Sequence, residues 1–214
     1  MKKELERRAY TFEVRAAEDN GQYMLSGRPI VYDARTDLGF FDEIIDKGAL
    51  DNADLKDVRF LVNHNTDMIP LARSRRNNEN STMHLTADSE GLSLDWVKLD
   101  VENNADAKAL YSAVKRGDIT GMSFMFSVDG VAWENLESEH PTRHITSIGT
   151  VVEVSAVTFP AYEQTEINTR NREALDNARV ALEKAKEQRD LKSVDTDKSK
   201  ELELLKAKIS ILGG

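Results

Sequence analysis

Three apolar stretches of this sequence each carry one polar side chain that could take part in catalysis. VRFLVNH ends in His64, GMSFMFSV contains Ser123, and TVVEVSAV contains Glu153. A hydroxyl nucleophile, an imidazole base and a carboxylate that orients the base are the groups that serine catalysis requires. The residue types therefore allow an acyl-transfer reaction, provided that folding brings the three stretches together.

All three stretches have the composition of strands, because they are rich in Val, Ile and Phe. Alternate side chains of a strand lie on one face. This pattern predicts that His64 shares a face with Val62, and that Glu153 shares one with Ser155. An ionised carboxylate among apolar side chains is costly unless it is paired, so Glu153 is expected to have a partner.

Each of these side chains also has a purely structural interpretation. Ser123 can be a small residue that fills a core strand, and His64 can be a hydrogen-bonded surface group beside Asn63. Glu153 can form an ion pair with an arginine of a neighbouring strand. Residue type and spacing alone leave these alternatives open.

The other histidines offer a weaker hypothesis. A zinc site formed by His140, His144 and a carboxylate is conceivable, but the spacing matches no established zinc pattern. The sequence has no glycine-rich phosphate loop and no dinucleotide fingerprint. We therefore expect neither a metal nor a cofactor.

The composition excludes several classes of protein. The 214 residues include no cysteine, which rules out disulfides, thiolate metal sites and cysteine nucleophiles. No run reaches the roughly 18 apolar residues of a membrane span, and the charged start MKKELERRAY lacks the apolar core of a secretory signal. A net charge of -9 argues against a general nucleic-acid binder. We expect a cytosolic protein.

The character of the chain changes near Tyr162. All four prolines and every aromatic residue lie at or before that position, and residues 163–214 carry 11 basic and 11 acidic residues. Residues 1–162, which we call the front part, therefore carry the whole net charge of -9. We predict a mostly β front domain of the α+β class with one or two helices, followed by an exposed helical tail whose apolar stripe is thin.

Local signals predict the elements of the front domain. SEGLSLDW indicates a hairpin, residues 46–57 a short helix or turn, and NADAKALYSAVKRGDI a helix that ends at Gly117. The residues predicted to share the buried face of that helix are Ala107, Leu110, Tyr111 and Val114.

Taken in order, these stretches resemble the prohead maturation proteases of tailed bacteriophages, the HK97-like family of serine peptidases. The similar pieces cover about residues 23–166 in the expected order: SGRPIVYD, FDEIIDKGAL, FLVNH, SEGLSLDW, KRGDITGMSFMFSV and TVVEVSAVTFPAYEQT. One departure is KGAL, where the family usually has a proline before the glycine and a phenylalanine after the alanine. This difference is expected to affect packing near residue 48 more than chemistry.

The resemblance implies that Ser123 is the nucleophile and His64 the general base. Glu153 is our choice for the third member, being the only carboxylate inside the last strand. Ser155 of the same motif is the fallback, with a supporting hydrogen-bonding role. If another group fills this role, His144 or Asp95 is next in line.

Asn63 and Gly121 are expected to support the same site. Gly121, which has no side chain, is expected to leave more space for the approach to Ser123.

The family is thought to share a β-barrel ancestry with herpesvirus assemblins. The resemblance therefore implies an assemblin-like β-barrel with one or two packed helices in residues 1–166, followed by the charged tail of residues 167–214. The loop after Pro160 is a candidate for the oxyanion hole.

The function that the resemblance implies is phage head maturation. Such a serine endopeptidase cleaves the scaffolding part of the major capsid protein, and itself, inside the immature capsid. It works in the host cytoplasm, or in the bacterial cytoplasm when it comes from a prophage. Its partners are capsid protein and further copies of itself, not nucleic acid or membrane. The tail could dock to capsid protein or be removed by self-cleavage.

Two alternatives belong to other classes of function. One is a non-catalytic capsid-assembly or scaffolding protein that has kept the protease fold. The other is a small-molecule esterase, which is disfavoured because GMSFM lacks the second glycine of the G-x-S-x-G elbow.

Overall fold

The computed structural model describes residues 5–10, 14–158 and 179–190. Eleven strands form within these residues. In chain order they are β1 (Leu5–Tyr10), β2 (Arg15–Asp19), β3 (Gln22–Val31), β4 (Thr36–Asp37), β5 (Asp42–Ile45), β6 (Arg59–Val62), β7 (Ala72–Arg73), β8 (Met83–Asp88), β9 (Gly91–Leu99), β10 (Gly121–Glu134) and β11 (Thr142–Val157). One helix, α1 (Ala105–Arg116), lies between β9 and β10, and residues 179–190 are helical.

The larger sheet is built around the long strand β11. Its strand order is β1-β10-β11-β5-β4, and β6 pairs with both β11 and β7. The edge of β11 that faces away from β10 holds two short parallel strands: Thr142–Ile145 pair with β5, and Glu153–Ala156 pair with β6. The end of β6 therefore comes to lie beside the part of β11 that carries Glu153.

The smaller sheet is antiparallel, with the order β2-β3-β9-β8. The predicted hairpin is confirmed as β8 and β9, and α1 packs on this sheet through the four residues that were predicted to be buried. The side chain of Asn104 accepts hydrogen bonds from two backbone N–H groups at the start of α1, and Gly117 ends the helix with a left-handed φ of 80°.

The expected mostly β fold of the α+β class is confirmed, but a closed barrel is not seen. In the parts of the chain that the structure describes, β1, β4 and β7 are terminal strands of the larger sheet, and β2 and β8 of the smaller one. A barrel would need its first and last strands to pair. The two-residue strand β4 offers almost no edge for such pairing.

The segment KGAL, where the chain differs from the usual family sequence, contributes residues to the hydrophobic core. Residues 46–57 form turns and a single bridge, not a helix, and Gly48 has a φ of 87°, which favours glycine. Ala49 and Leu50 are both buried in the main hydrophobic cluster. A leucine therefore fills space at the position where the family usually has a phenylalanine.

The tail is not fully exposed. The helix of residues 179–190 buries Leu182, which packs against Leu38 and Phe41, whereas most of its other residues are exposed as predicted. The last part of the predicted tail, residues 191–214, lies outside the described residues. No helix in the described part of the chain is long and apolar enough to span a membrane.

Candidate active site

The larger sheet brings the three predicted side chains together. Ser123 lies in β10 with Ser155 of β11 as its registered partner. Glu153 lies two residues earlier on β11, where β6 pairs alongside. His64 follows β6 by two residues, so the turn after β6 holds the imidazole over this part of the sheet.

The three side chains form one hydrogen-bonded row. Ser123 Oγ lies 2.6 Å from His64 Nε2, and His64 Nδ1 hydrogen-bonds to Glu153 Oε1. Ser123 is fully buried, Glu153 is 2% exposed, and the His64 side chain is 13% exposed. A hydroxyl, an imidazole and a carboxylate in this order are the arrangement in which serine hydrolases activate their nucleophile.

His64 reaches this position from a turn, not from a strand. β6 ends at Val62, and Asn63 and His64 have positive φ values of 52° and 55°. The prediction that His64 continues the strand and shares a face with Val62 is therefore wrong. Left-handed backbone is uncommon for residues other than glycine, although Asn and His are among those that adopt it more often.

Asn63, which was predicted to support the site, connects this turn to the end of β11 by hydrogen bonds. Its side chain accepts a hydrogen bond from the Thr158 backbone N–H at 2.9 Å and donates one to Thr158 Oγ1 at 3.0 Å. Its own backbone N–H donates to Ala156 O at 2.9 Å. Sequence reasoning missed Thr158, because nothing in the local pattern links it to a residue 95 positions earlier.

Ser155 holds both the carboxylate and the histidine turn. Its Oγ donates to Glu153 Oε2 at 2.6 Å and accepts a hydrogen bond from the His64 backbone N–H at 3.1 Å. With Ser155 fully buried, these contacts are shielded from water. Ser155 thus contacts Glu153 and the backbone of His64, whereas the His64 ring is contacted by Glu153.

Replacing Ser155 by alanine is expected to lower kcat by about tenfold and to leave KM nearly unchanged, because Glu153 and His64 would lose a positioning contact but keep each other. Steady-state cleavage of a peptide substrate would measure both constants. Ser155→Thr keeps the hydroxyl and should recover part of the loss. An unchanged kcat for Ser155→Ala would show that Ser155 only fills space.

Four charged side chains, three buried and one 12% exposed (Glu6), form a group that we name the ion cluster: Glu6, Arg8, Glu43 and Arg143. Arg8 binds both carboxylate oxygens of Glu43 and donates to Glu6 at 2.5 Å. Arg143 donates to Glu6 at 2.8 Å and to Glu43 at 2.9 Å. Two positive and two negative charges balance, which makes their burial tolerable.

Sequence reasoning did not find the ion cluster. Its members come from β1, β5 and β11, which are distant along the chain. The one available signal was Glu43, an acidic residue inside FDEII that is buried in the structure. The ion cluster ties β1 to the rest of the larger sheet.

The ion cluster should make stability depend on pH. Burial would raise the pKa of Glu6, but the hydrogen bond from Arg143 and the charges of Arg8 and Arg143 lower it to about 2. A depressed pKa contributes stability above the unfolded-state value, and this contribution is lost as the pH falls through the folded-state value. The thermal unfolding midpoint of the wild type should therefore fall more steeply between about pH 5 and pH 2 than that of Glu6→Gln. Parallel curves for the two proteins would contradict this role of Glu6.

His144 and Asp95, the other candidates for the third member of the row, contact different side chains. His144 Nδ1 is 2.7 Å from Asp46, and this hydrogen bond raises the pKa of His144. Asp95 Oδ2 is 2.8 Å from His84 Nδ1. In the described part of the chain, the hydrogen bonds of the His64 ring go to Ser123 and Glu153.

The hypothetical zinc site does not form around the two histidines. His140 Nε2 lies 3.2 Å from Asp42 and 3.7 Å from Asp37, whereas His144 contacts other carboxylates. His140, Asp37 and Asp42 offer possible ligand atoms within 4.8 Å of one another. However, Arg35 donates to Asp42 at 2.6 Å, so this carboxylate already has a cationic partner.

The roles of Gly121 and of the loop after Pro160, and the domain boundary, stay predictions. Gly121 opens β10 opposite Val157. The loop after Pro160 and the domain boundary at residues 166 and 167 lie outside the described residues.

The family of the chain follows from comparison with known proteins. A sequence model described as caudovirus prohead serine protease matches residues 10–179, which is more than half of the chain and includes His64, Ser123 and Glu153. No curated protein and no solved structure matches this chain. The chain therefore belongs to the caudovirus prohead serine protease family.

Proposed function

We propose that this chain is a serine endopeptidase of phage head maturation, in which Ser123 is the nucleophile, His64 the general base and Glu153 the carboxylate that orients the imidazole. The main support is the hydrogen-bonded row of these three side chains in a member of a prohead serine protease family. The order His, Ser, then a third group on a later strand also agrees with the proposed ancestry shared with herpesvirus assemblins.

The proposed reaction is acyl transfer. His64 Nε2 takes the proton of Ser123 as Oγ attacks the carbonyl carbon of the scissile peptide bond. The C–N bond then breaks, and His64 passes the proton to the leaving amine. A water molecule, deprotonated by His64, releases the acyl group and restores the serine. Glu153 accepts the Nδ1–H hydrogen bond and stabilises the imidazolium that forms in both halves of the reaction.

The proposed substrates are the scaffolding part of the major capsid protein and the protease itself, inside the immature capsid. The family description supports contact with capsid protein. The chain would then act in the cytoplasm of the infected host, or of a bacterium that carries the prophage. Residues 1–166 would form the protease domain, and the tail of residues 167–214 would dock to capsid protein or be removed by self-cleavage. Backbone N–H groups after Pro160 would supply the oxyanion hole.

Mass spectrometry of the chain co-expressed with the capsid protein of its own phage tests this function. The proposal expects a shortened capsid protein and self-cleavage products, both dependent on Ser123. A non-catalytic assembly protein would instead leave both chains at full length, and a serine-reactive phosphonate would not label Ser123.

A further inference from the structure

The first described strand covers the candidate nucleophile. β1 pairs antiparallel with β10, and its Ala9 is the registered partner of Ser123. Ser123 Oγ donates a hydrogen bond to the carbonyl oxygen of Arg8 at 2.7 Å. Ser123 is fully buried, so a substrate carbonyl cannot approach its Oγ while this strand stays in place.

β1 has the position that a substrate would need. A protease must hold the scissile carbonyl close to the nucleophile, and an extended peptide commonly binds by adding a strand to a sheet edge. β1 is a terminal strand of the larger sheet, at the edge of β10. The family match begins at residue 10, so nearly all of β1 precedes the matched part of the chain.

The Arg8 carbonyl also competes with His64 for the proton of Ser123. Ser123 Oγ carries one proton but has two neighbours that can accept it, Arg8 O and His64 Nε2. While the hydroxyl donates to Arg8 O, it does not donate to His64 Nε2. The strand therefore opposes activation of the nucleophile.

The side chain of Arg8 occupies a pocket that suits a basic residue. Its guanidinium binds both oxygens of Glu43, which is completely buried. Arg143 also reaches Glu43, but through Oε2 only. If β1 left, Glu43 Oε1 would lose its guanidinium partner, and an arginine or lysine of an incoming peptide could replace it.

Glu6 occupies a second pocket two residues earlier. Arg143 donates to both of its carboxylate oxygens, at 2.8 Å each. The Nε of Arg143 is buried and has no hydrogen-bond partner among the described residues. Without β1, Arg143 would present its guanidinium to an acidic side chain at this position of a bound peptide.

This inference rests on the proposed function. We propose that β1 occupies the substrate-binding edge of β10 in the register of a substrate, and that Glu43 selects arginine or lysine as the residue that supplies the scissile carbonyl. Arg143 favours an acidic residue two positions before it. The proteolytic substrates of this chain thus contain an acidic residue, any residue, and then a basic residue directly before the cleaved bond.

Peptides based on residues 5–10, LERRAY, test the selectivity. With the full chain carrying Arg8→Ala, which empties the pocket at Glu43, the peptide should be cleaved after its second arginine. Replacing that arginine by glutamine should lower kcat/KM by at least about 30-fold, because Glu43 Oε1 is then buried without a cationic partner. Cleavage that is equally fast after glutamine would overturn the inference.

Comparing kcat/KM of the wild type with that of two variants tests whether β1 blocks the site. Arg8→Ala should raise kcat/KM for LERRAY by at least about tenfold over the wild type, because the competing strand loses its anchor. Arg7→Ala is the matched control, since it removes the adjacent arginine of β1 but no member of the ion cluster, and it should resemble the wild type. Equal rates for wild type and Arg8→Ala, with both folded by circular dichroism, would overturn the inference.

A measurement on the wild type covers the case in which Arg8→Ala fails to fold. A peptide phosphonate with an arginine-like side chain should label Ser123 at least about ten times faster than its norleucine analogue. Equal labelling by both would overturn the pocket at Glu43 but leave the serine protease assignment standing. Absence of labelling by these and by a small fluorophosphonate, together with uncut capsid protein, would instead contradict the proposed function itself.

Discussion

Ser123→Ala protein, co-expressed with the capsid protein of its own phage, is expected to leave that protein uncut, with a rate at least about 10⁴-fold below that of the wild type. Alanine cannot form the acyl-enzyme, and His64 Nε2 would lose the hydroxyl that lies 2.6 Å away. The substitution removes one oxygen from a buried strand and adds no bulk, so the protein should stay folded. Mass spectrometry of both chains would measure cleavage, and circular dichroism would check folding.

Ser127→Ala is the matched control for this experiment. Ser127 lies on the same strand, is also buried, and accepts a hydrogen bond from the Thr150 backbone N–H at 3.1 Å. Its loss should lower stability slightly and leave cleavage intact. Cleavage that persists in Ser123→Ala would remove Ser123 from the nucleophile role, whereas loss of cleavage in both variants would indicate a general effect of disturbing β10.

Glu153→Gln is expected to have the second largest effect, a fall in kcat of about 10² to 10⁴-fold. The amide has the shape of the carboxylate but no charge, so it cannot stabilise the imidazolium of His64. Its NH₂ group can also donate to Nδ1, which would favour the wrong tautomer. Single-turnover kinetics with a peptide substrate would separate this chemical step from binding.

Asp95→Asn is the control for Glu153→Gln, because Asp95 contacts another histidine, His84, at 2.8 Å. This variant should keep the wild-type kcat. If Glu153→Gln were as active as the wild type and Asp95→Asn were inactive, the third member of the row would lie elsewhere. A folded but inactive Glu153→Gln protein beside a fully active Asp95→Asn protein would support the proposed assignment.

Local sequence patterns were sufficient to predict the hairpin and the helix of the front domain. The hairpin of β8 and β9, and the helix α1 with its end at Gly117, depend on residues that are close in the chain. Turn residues, alternation and helical spacing act over a few positions, so they can be recognised without knowing the tertiary structure. The closed barrel was a different kind of expectation, since it depended on which distant strands pair, and the described strands form two open sheets.

By itself, the sequence determined the candidate residues of the site and the order in which they occur. Ser123 and Glu153 stand out because a polar group inside an apolar strand requires an explanation. The tertiary structure decided their geometry. A left-handed turn directs His64 toward Ser123, and Ser155 holds that turn from a position 91 residues away.

Only the tertiary structure revealed the ion cluster and the position of β1. In the sequence, Arg8 is one of several charges in a charged start, and Glu43 is an ordinary acidic residue. Their pairing spans 35 residues, and that of Arg143 with Glu43 spans 100. A charge can be buried only when folding supplies an opposite charge, and such a partner can come from any part of the chain. Local pattern therefore determined which residues could react, while long-range strand pairing decided which of them meet and what covers them.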